Sequence, residues 1–283
     1  MKKILMTMMA LALTIEVLAQ VVTIDTAQFV AVYDYEYRTQ NDEGQDITDK
    51  MQVVVQVGRK VTKSMPRSVY RLRDDSEEAD VEADYQEAYV HMPTVWIGYP
   101  EEQTTVREFI FPHEYEGSEE TPEIAWTLTD DTVTVGGYLC QQATATFRGL
   151  KWHVYYTEEV PTSAGPWRLR GLPGLIVEAK SDAHTFRLVG LRQERGAITA
   201  PEQRPDVQRM KYAKLLKHRN EIYSNRQYVK NPTYYVPDLH RSISHMTVFV
   251  FQMNGQDFIF ANGYPLLMKA HVYQPLEKGL DND

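Results

Sequence analysis

The sequence predicts a mainly β or α+β fold, in which a curved antiparallel sheet, shaped like a half-barrel, packs on one long helix. Two observations lead to this expectation. Short segments rich in β-branched and aromatic residues recur between glycine, asparagine and aspartate turns, as is typical of antiparallel strands. One long stretch in the last third of the chain has the apolar spacing of a helix with one buried face.

The N-terminal residues 1–19 have the features of an export signal peptide. Two lysines precede a short apolar run, and Val17–Ala19 places compact residues before Gln20, so we expect cleavage before Gln20. The apolar run is too short for a transmembrane helix. No linker or repeat divides residues 20–283, which we expect to form a single β-rich domain in the periplasm or outside the cell.

Charge and cysteine content narrow the classes of function. The formal net charge of −9 disfavours nucleic acid as a partner, because a phosphate backbone binds basic surfaces. The single cysteine, Cys140, cannot form an internal disulfide, so the core must supply the stability. Cys140 is either a small buried hydrophobe in a strand or a reactive thiol.

The first half of the chain is predicted to form a hairpin, a short helix and further strands. The hairpin joins Tyr33–Tyr37 to Met51–Val57 through a long polar connection. Residues 76–89 combine an acidic start with apolar side chains at four-residue spacing, which indicates a helix. The strands that follow are expected at Thr104–Phe111, Ile124–Leu128 and Thr132–Val135.

The centre of the chain is predicted to form a meander of antiparallel strands. Tyr138–Phe147 and Leu150–Thr157 are joined by a tight glycine turn, and Leu175–Lys180 and His184–Gln193 follow. Alternation along the first strand places Leu139, Ala143, Ala145 and Phe147 on one face and Cys140 on the other.

The chain is organised around the segment Gly165–Ile176, which we call the central loop. Its two prolines and three glycines exclude regular helix or central strand. Trp167, Leu169 and Leu172 are nevertheless too apolar for an ordinary surface loop. The central loop therefore either fills the core or shapes the rim of a pocket.

The last third is predicted to contain the long helix and a final hairpin. The helix spans Asp206–Ser224, with Val207, Met210, Ala213, Leu216 and Leu215 on its buried face and basic residues elsewhere. These basic residues, among them Lys211, Lys214, Lys217 and Arg219, either face solvent or dock an acidic partner or membrane surface. The hairpin joins Met246–Gln252 to Phe258–Ala261 through Asn254–Gly255.

The motif Gly-Leu-Pro-Gly-Leu-Ile at 171–176 resembles the GLPGLI family, exported proteins of Bacteroidetes. The similarity extends to Tyr138–Ala143, Phe147–Gly149, Tyr155–Pro161 and Gly165–Trp167. It also includes the signal peptide, the basic helix and the ending Tyr273–Glu277, which has Gln274 where the family usually has asparagine. The resemblance implies an exported protein, and it does not imply any particular activity. In outline, the expected architecture is similar to the half-barrels of periplasmic lipoprotein carriers.

Aromatic residues suggest a binding role. The chain has 18 tyrosines, and aromatic side chains on a curved sheet can line an apolar groove or fill the core. The residues that would line such a groove are Trp152, Tyr156, Trp167, Leu172, Pro173 and Leu175.

Catalytic and metal sites are weaker alternatives. A hydrolase could use Cys140 as nucleophile and His153 as base, since the two fall on adjacent predicted strands. A metal could bind His113–Glu116, or His240 with His245 on a loop, but no zinc-binding motif is present and no metal ligand is assigned. No dinucleotide-binding or phosphate-loop motif occurs, so no cofactor is expected.

These observations favour a non-enzymatic envelope protein that binds an apolar ligand or an extended peptide in a sheet groove, or docks on an outer-membrane protein. The alternatives are a secreted hydrolase that uses Cys140 and a metal-binding accessory protein of the envelope.

Overall fold

A computed structural model describes residues 21–41, 43–71, 92–110, 113–225, 248–253, 256–261, 264–265 and 272–280. The signal peptide predicted at 1–19, the helix predicted at 76–89 and the Asn254–Gly255 turn lie outside the described residues. Among those residues, no helix combines the length and the apolar character needed to cross a bilayer.

The described strands form three sheets, the largest of which has twelve strands. In chain order the strands are β1 (Thr23–Thr26), β2 (Phe29–Gln40), β3 (Asp46–Val57), β4 (Thr62–Pro66), β5 (Thr94–Ile97), β6 (Gln103–Ile110), β7 (His113–Glu120), β8 (Thr127–Val135), β9 (Tyr138–Phe147), β10 (Leu150–Thr157), β11 (Leu175–Lys180), β12 (His184–Arg192), β13 (Ala197–Thr199), β14 (Gln208–Lys211), β15 (Val248–Met253), β16 (Gln256–Ala261) and β17 (Tyr264–Pro265). The helices within the described residues are α1 (Arg67–Arg71) and α2 (Tyr212–Ser224).

The twelve-stranded sheet is curved and open, as the sequence predicts. Its order is β14-β7-β6-β5-β4-β3-β2-β12-β11-β10-β9-β8, and only the β14–β7 pair is parallel. One hydrophobic core joins strands from both halves of the sheet to α2, since Val106 of β6, Phe147 of β9 and Leu215 of α2 belong to the same buried cluster. The curved sheet thus wraps around the helix.

The predicted strands are mostly found, with some changes of length. β9, β10 and β11 have the predicted bounds, and the first hairpin is longer than predicted because β2 and β3 extend almost to the polar turn. The two strands expected at 124–128 and 132–135 are one strand, β8, which is interrupted by a register shift between Leu128 and Thr132. The final hairpin is confirmed as the antiparallel pair β15–β16.

The predicted start of the long helix is wrong. α2 begins at Tyr212, because residues Gln208–Lys211 instead form β14 and pair with β7. Val207 is buried but lies in the preceding turn, and Ala213 is exposed. The buried residues of the helix are Tyr212, Leu215, Leu216, Arg219 and Tyr223.

Burial along β9 does not follow its two faces as far as the N-terminal end of the strand. Ala143, Ala145 and Phe147 are buried, whereas Leu139 on the same face is 59% exposed. Cys140 on the opposite face is fully buried, as expected of a small hydrophobe in a strand. Leu139 lies near the end of the sheet, where the edge strand β8 is exposed along most of its length and covers little.

Candidate functional site

The central loop fills the core. Trp167, Leu169, Leu172, Leu175 and Ile176 are at most 2% exposed and belong to the main hydrophobic cluster. The ring of Trp167 lies 5.9 Å from that of Trp152, and its backbone N–H donates to Ser64 Oγ at 3.1 Å. The loop is also tied to its own entry, because Ile176 N donates to the Ala164 carbonyl at 3.1 Å. The sequence left open whether the central loop fills the core or shapes the rim of a pocket, and the structure shows these side chains filling the core.

The residues predicted to line an apolar groove are therefore largely inaccessible. Trp152 and Tyr156 are as buried as the three loop residues Trp167, Leu172 and Leu175, and only Pro173 is exposed. In this conformation those five side chains offer no surface to a ligand. Binding through them stays a prediction.

The proposed catalytic pair is separated. Cys140 is buried, and burial raises the pKa of its thiol. His153 is exposed and lies opposite Thr144 in the β9–β10 pairing, four positions along β9 from Cys140. At roughly 3.3 Å per residue, the two backbone positions are about 13 Å apart, which is too far for a base to take the thiol proton.

The proposed metal ligands at 113–116 have other partners. Glu114 pairs with Arg107 and Arg204, and Glu116 pairs with Arg107 and Arg209. Within the described ranges, no group of three histidine, cysteine or acidic side chains is arranged to hold a metal. His240 and His245 lie outside those ranges.

The basic residues of α2 divide into two groups. Lys211, immediately before the helix, and Lys214 and Lys217 are exposed, as expected of a solvated outer face. Arg219 is instead 3% exposed and points inward, where it pairs with Glu108 and Glu277. Docking of a partner through the lysines stays a prediction.

A cluster of buried charges, which we call the arginine network, joins distant parts of the chain. Glu277 is fully buried and accepts hydrogen bonds from Tyr212 Oη at 2.5 Å and from Arg168 Nη1 at 3.2 Å. Burial opposes its ionisation, but the neighbouring arginines and Tyr212 lower its pKa below the usual range. The network consists of Arg148, Arg168, Arg219, Glu108, Glu119, Glu277 and Tyr212. Its charges compensate one another inside the protein, so they are not available to a ligand.

A polar cleft of about 450 Å³ opens beside the entry to the central loop. Four separate segments line it: 57–62 between β3 and β4, 97–102 between β5 and β6, 121–123 after β7, and 162–165 together with Arg170. The volume lies within the range of roughly 300–1,000 Å³ that is common for ligand sites. We take this cleft as the candidate functional site.

The cleft holds charged side chains without internal partners. Its ionisable residues are Arg59, Lys60, Glu102, Glu123 and Arg170. Within the described part of the chain, none of the five side chains forms an ion pair or a hydrogen bond. Unpaired charges around a concave surface can bind complementary groups of a ligand without first breaking an internal pair.

The walls of the cleft are held by backbone contacts. The Asp25 carboxylate accepts hydrogen bonds from Lys60 N at 2.7 Å and Val61 N at 3.0 Å, which fixes the β3–β4 turn. Burial opposes ionisation of Asp25, but these and neighbouring backbone donors lower its pKa. The adjacent turn approaches so closely that a Cβ on Gly98 would lie 2.4 Å from the Lys60 carbonyl oxygen.

The cleft was not among the sites expected from the sequence. Its segments are separated by up to a hundred residues in the chain, and each alone reads as an ordinary polar turn. The available signal was the pair Arg168 and Arg170 within an otherwise apolar loop. Two cations in such a segment need either buried acidic partners or an opening to solvent.

Comparisons with known proteins give distant structural likenesses. No family model and no curated protein matches the sequence. Among solved structures, the chain is similar to PNGF-II in a P21 crystal form, with a TM-score of 0.46 and 12% identity over 81% of this chain and 35% of that one. For PNGF-II in a C2 form the TM-score is 0.41, with 12% identity over 79% and 35% of the two chains. This chain thus spans about a third of the length of PNGF-II, and at this distance the likeness says nothing about function.

Proposed function

We propose that this protein is a non-enzymatic binding protein that holds an extended peptide in the cleft beside its central loop. The observation that supports the proposal is a cleft of about 450 Å³ with five charged side chains that have no partner within the described part of the chain. Five of the six apolar residues predicted to line a groove are buried in the core, so a polar ligand fits better than an apolar one.

An extended peptide matches the other groups that line the cleft. Thr62, Thr162 and Ser163 carry hydroxyl groups that can donate and accept hydrogen bonds. Peptide N–H and C=O groups need such partners when they leave water.

A hydrolytic function has less support. Cys140 is buried with a raised pKa, and the register separates it from His153. A reactive thiol instead needs a lowered pKa and access to substrate.

The location and family form part of the same proposal. The features of residues 1–19 support export to the periplasm or the medium, and the motif at 171–176 supports membership in the GLPGLI family. An extended segment of an outer-membrane protein would then be one form of the bound peptide. Sequencing of the protein recovered from the envelope should give Gln20 as the first residue, and an uncleaved N-terminus would contradict export by this route.

The binding role can be tested by filling the cleft. The full chain, purified from the cell envelope, should carry peptides that native mass spectrometry detects and sequencing identifies. Ser163→Trp places a large side chain at the cleft and should abolish peptide retention, because Ser163 is exposed and lines the site.

The matched control is Thr134→Trp, which introduces the same side chain at an exposed position of β8. Its peptide content should equal that of the unmodified protein. Absence of peptide from the unmodified protein, or equal retention by Ser163→Trp, would refute the proposal.

A further inference from the structure

We infer that Arg170, with Arg59 and Lys60, forms an anion subsite in the cleft and that this subsite binds a carboxylate of the peptide. The inference rests on the proposed function, and it specifies which chemical group of the ligand the cleft selects. The carboxylate belongs either to an acidic side chain or to the C-terminus of the peptide.

Arg170 is presented on a fixed backbone. Its carbonyl oxygen accepts a hydrogen bond from Trp126 Nε1 at 2.8 Å, and the next residue, Gly171, donates from N to the Ser163 carbonyl at 2.9 Å. The side chain is half-buried and has no partner within the described residues. Binding an anion there loses less conformational freedom than ordering a mobile surface arginine would.

The two arginines of the central loop have different tasks. Arg168 is 2% exposed and pairs with Glu119 and Glu277 in the arginine network. Arg170 lines the cleft, and no carboxylate of the described residues pairs with it. A guanidinium group is a planar fork that binds a carboxylate through two parallel hydrogen bonds, so a ligand can supply the carboxylate that pairs with Arg170.

Arg59 and Lys60 add two further cations from a part of the chain that is distant from Arg170 in sequence. Both lie in the turn between β3 and β4, which the Asp25 carboxylate holds through Lys60 N and Val61 N. Their side chains are exposed and line the same cleft as Arg170. The subsite therefore combines cations from two rigid segments that are distant in sequence.

The charge balance of the cleft favours a carboxylate over a polyanion. Three cations stand against the two carboxylates Glu102 and Glu123, which leaves an excess of one positive charge. A phosphate chain or nucleic acid would be repelled by these carboxylates and by a protein with a formal net charge of −9. A peptide can instead place one carboxylate at the cations and an amide or ammonium group near the glutamates.

The test uses the full chain and an immobilised library of octapeptides, made once with free C-termini and once with amidated C-termini. The unmodified protein should retain peptides that contain aspartate or glutamate, or a free C-terminus, at least tenfold better than their amide counterparts, because a charged hydrogen bond contributes that much or more. Aspartate or glutamate enrichment in the amidated set identifies a side-chain carboxylate, and enrichment confined to the free set identifies the C-terminus.

Arg170→Gln should lose this preference about tenfold or more and still bind the amide counterparts as well as the unmodified protein does. Lys60→Gln, at an exposed position, should also weaken the preference, and Lys214→Gln on α2 should leave it unchanged. Equal thermal unfolding of the variants would show that the fold is intact.

The outcomes separate the two proposals. Retention of peptides without any preference for carboxylate, or an unchanged preference in both Arg170→Gln and Lys60→Gln, would overturn the anion subsite and leave peptide binding in place. Retention of no peptide by the unmodified protein would overturn both.

Discussion

At the scale of single residues, burial and neighbours decide what a side chain can do. Cys140 shows this most clearly, because its residue type suggests a nucleophile, whereas its burial raises the pKa of the thiol and disfavours that role. Trp167 has a backbone φ of 54°, a conformation that is uncommon for residues other than glycine, and its indole packs in the main hydrophobic cluster. Two further residues, Gly174 and His184, lead to predictions at this scale.

Gly174 should tolerate no side chain. A Cβ at this position would lie 2.0 Å from the Thr157 carbonyl oxygen, a distance that the rigid backbone of β10 cannot relieve by a small shift. We expect Gly174→Ala to lower the free energy of unfolding by about 3 kcal/mol or to prevent folding. Thermal unfolding and the soluble yield measure the effect.

Gly279→Ala is the control, because no atom lies within 4 Å of the Cβ that it would add. Its unfolding temperature should match that of the unmodified protein. A Gly174→Ala variant of unchanged stability would show that β10 and the central loop are not packed as described.

His184 should make the stability depend on pH. Its Nε2 faces the Pro275 carbonyl at 3.3 Å, so this nitrogen carries the proton and Nδ1 accepts from Tyr35 Oη at 2.8 Å. Burial lowers the pKa of His184 from 6.5 to about 4. Between these values the unfolded chain binds a proton that the folded chain does not, so stability is complete above pH 6.5 and is lost as the pH falls toward 4.

Urea unfolding at pH 7 and pH 5 measures this loss. His184 should account for about 2 kcal/mol of the difference, and His184→Gln should reduce the difference by that amount. The exposed His153, changed to glutamine, should leave it unaltered. The same pH dependence in His184→Gln as in the unmodified protein would contradict the buried, neutral histidine.

At the scale of elements, local patterns predicted the strands well. β9, β10 and β11 have the expected bounds because alternation and adjacent turns define them within a few residues of sequence. The start of α2 was mispredicted because β14 exists only through its parallel pairing with β7, some ninety residues earlier. The cleft was missed for the same reason, since Arg59 and Arg170 line one cleft only after the sheet has formed.

The packing of β9 predicts the reactivity of its cysteine. Cys140 is fully buried, so a thiol reagent such as dithionitrobenzoate should not label the folded protein at pH 8 and should label it completely in denaturant. Mass spectrometry counts the added groups. Rapid labelling of the folded protein would place Cys140 at an accessible surface and reopen the catalytic interpretation.

At the scale of the whole molecule, Glu277 and the arginines that pair with it hold four parts of the chain together. Arg148 comes from the turn after β9, Arg168 from the central loop, Arg219 from α2 and Glu277 from the segment 272–280. That segment is also attached to the sheet, because Val272 N donates to the Gln40 carbonyl at 2.9 Å and Gln274 N to Tyr37 Oη at 2.7 Å. It therefore acts as a strap across the curved sheet.

Neutralising Glu277 should loosen this strap. Glu277→Gln leaves three buried arginines with one carboxylate fewer, which we expect to cost about 3–5 kcal/mol of unfolding free energy. Urea unfolding measures the loss, and limited proteolysis should cut within 272–280 before the rest of the protein unfolds. Lys278→Ala, at the exposed neighbouring position, is the control and should be close to neutral. Equal protease resistance of both variants would contradict the role of the network.

The position of Glu277 in the chain has a consequence for biosynthesis. All the cations that it neutralises, and both other carboxylates of the network, precede it in the sequence. While the chain is made from its N-terminus, Arg148, Arg168 and Arg219 therefore lack their shared acceptor until residue 277 has emerged. The arginine network can therefore close only after residue 277 has left the ribosome, so the three arginines bury their charges late in the synthesis of the chain.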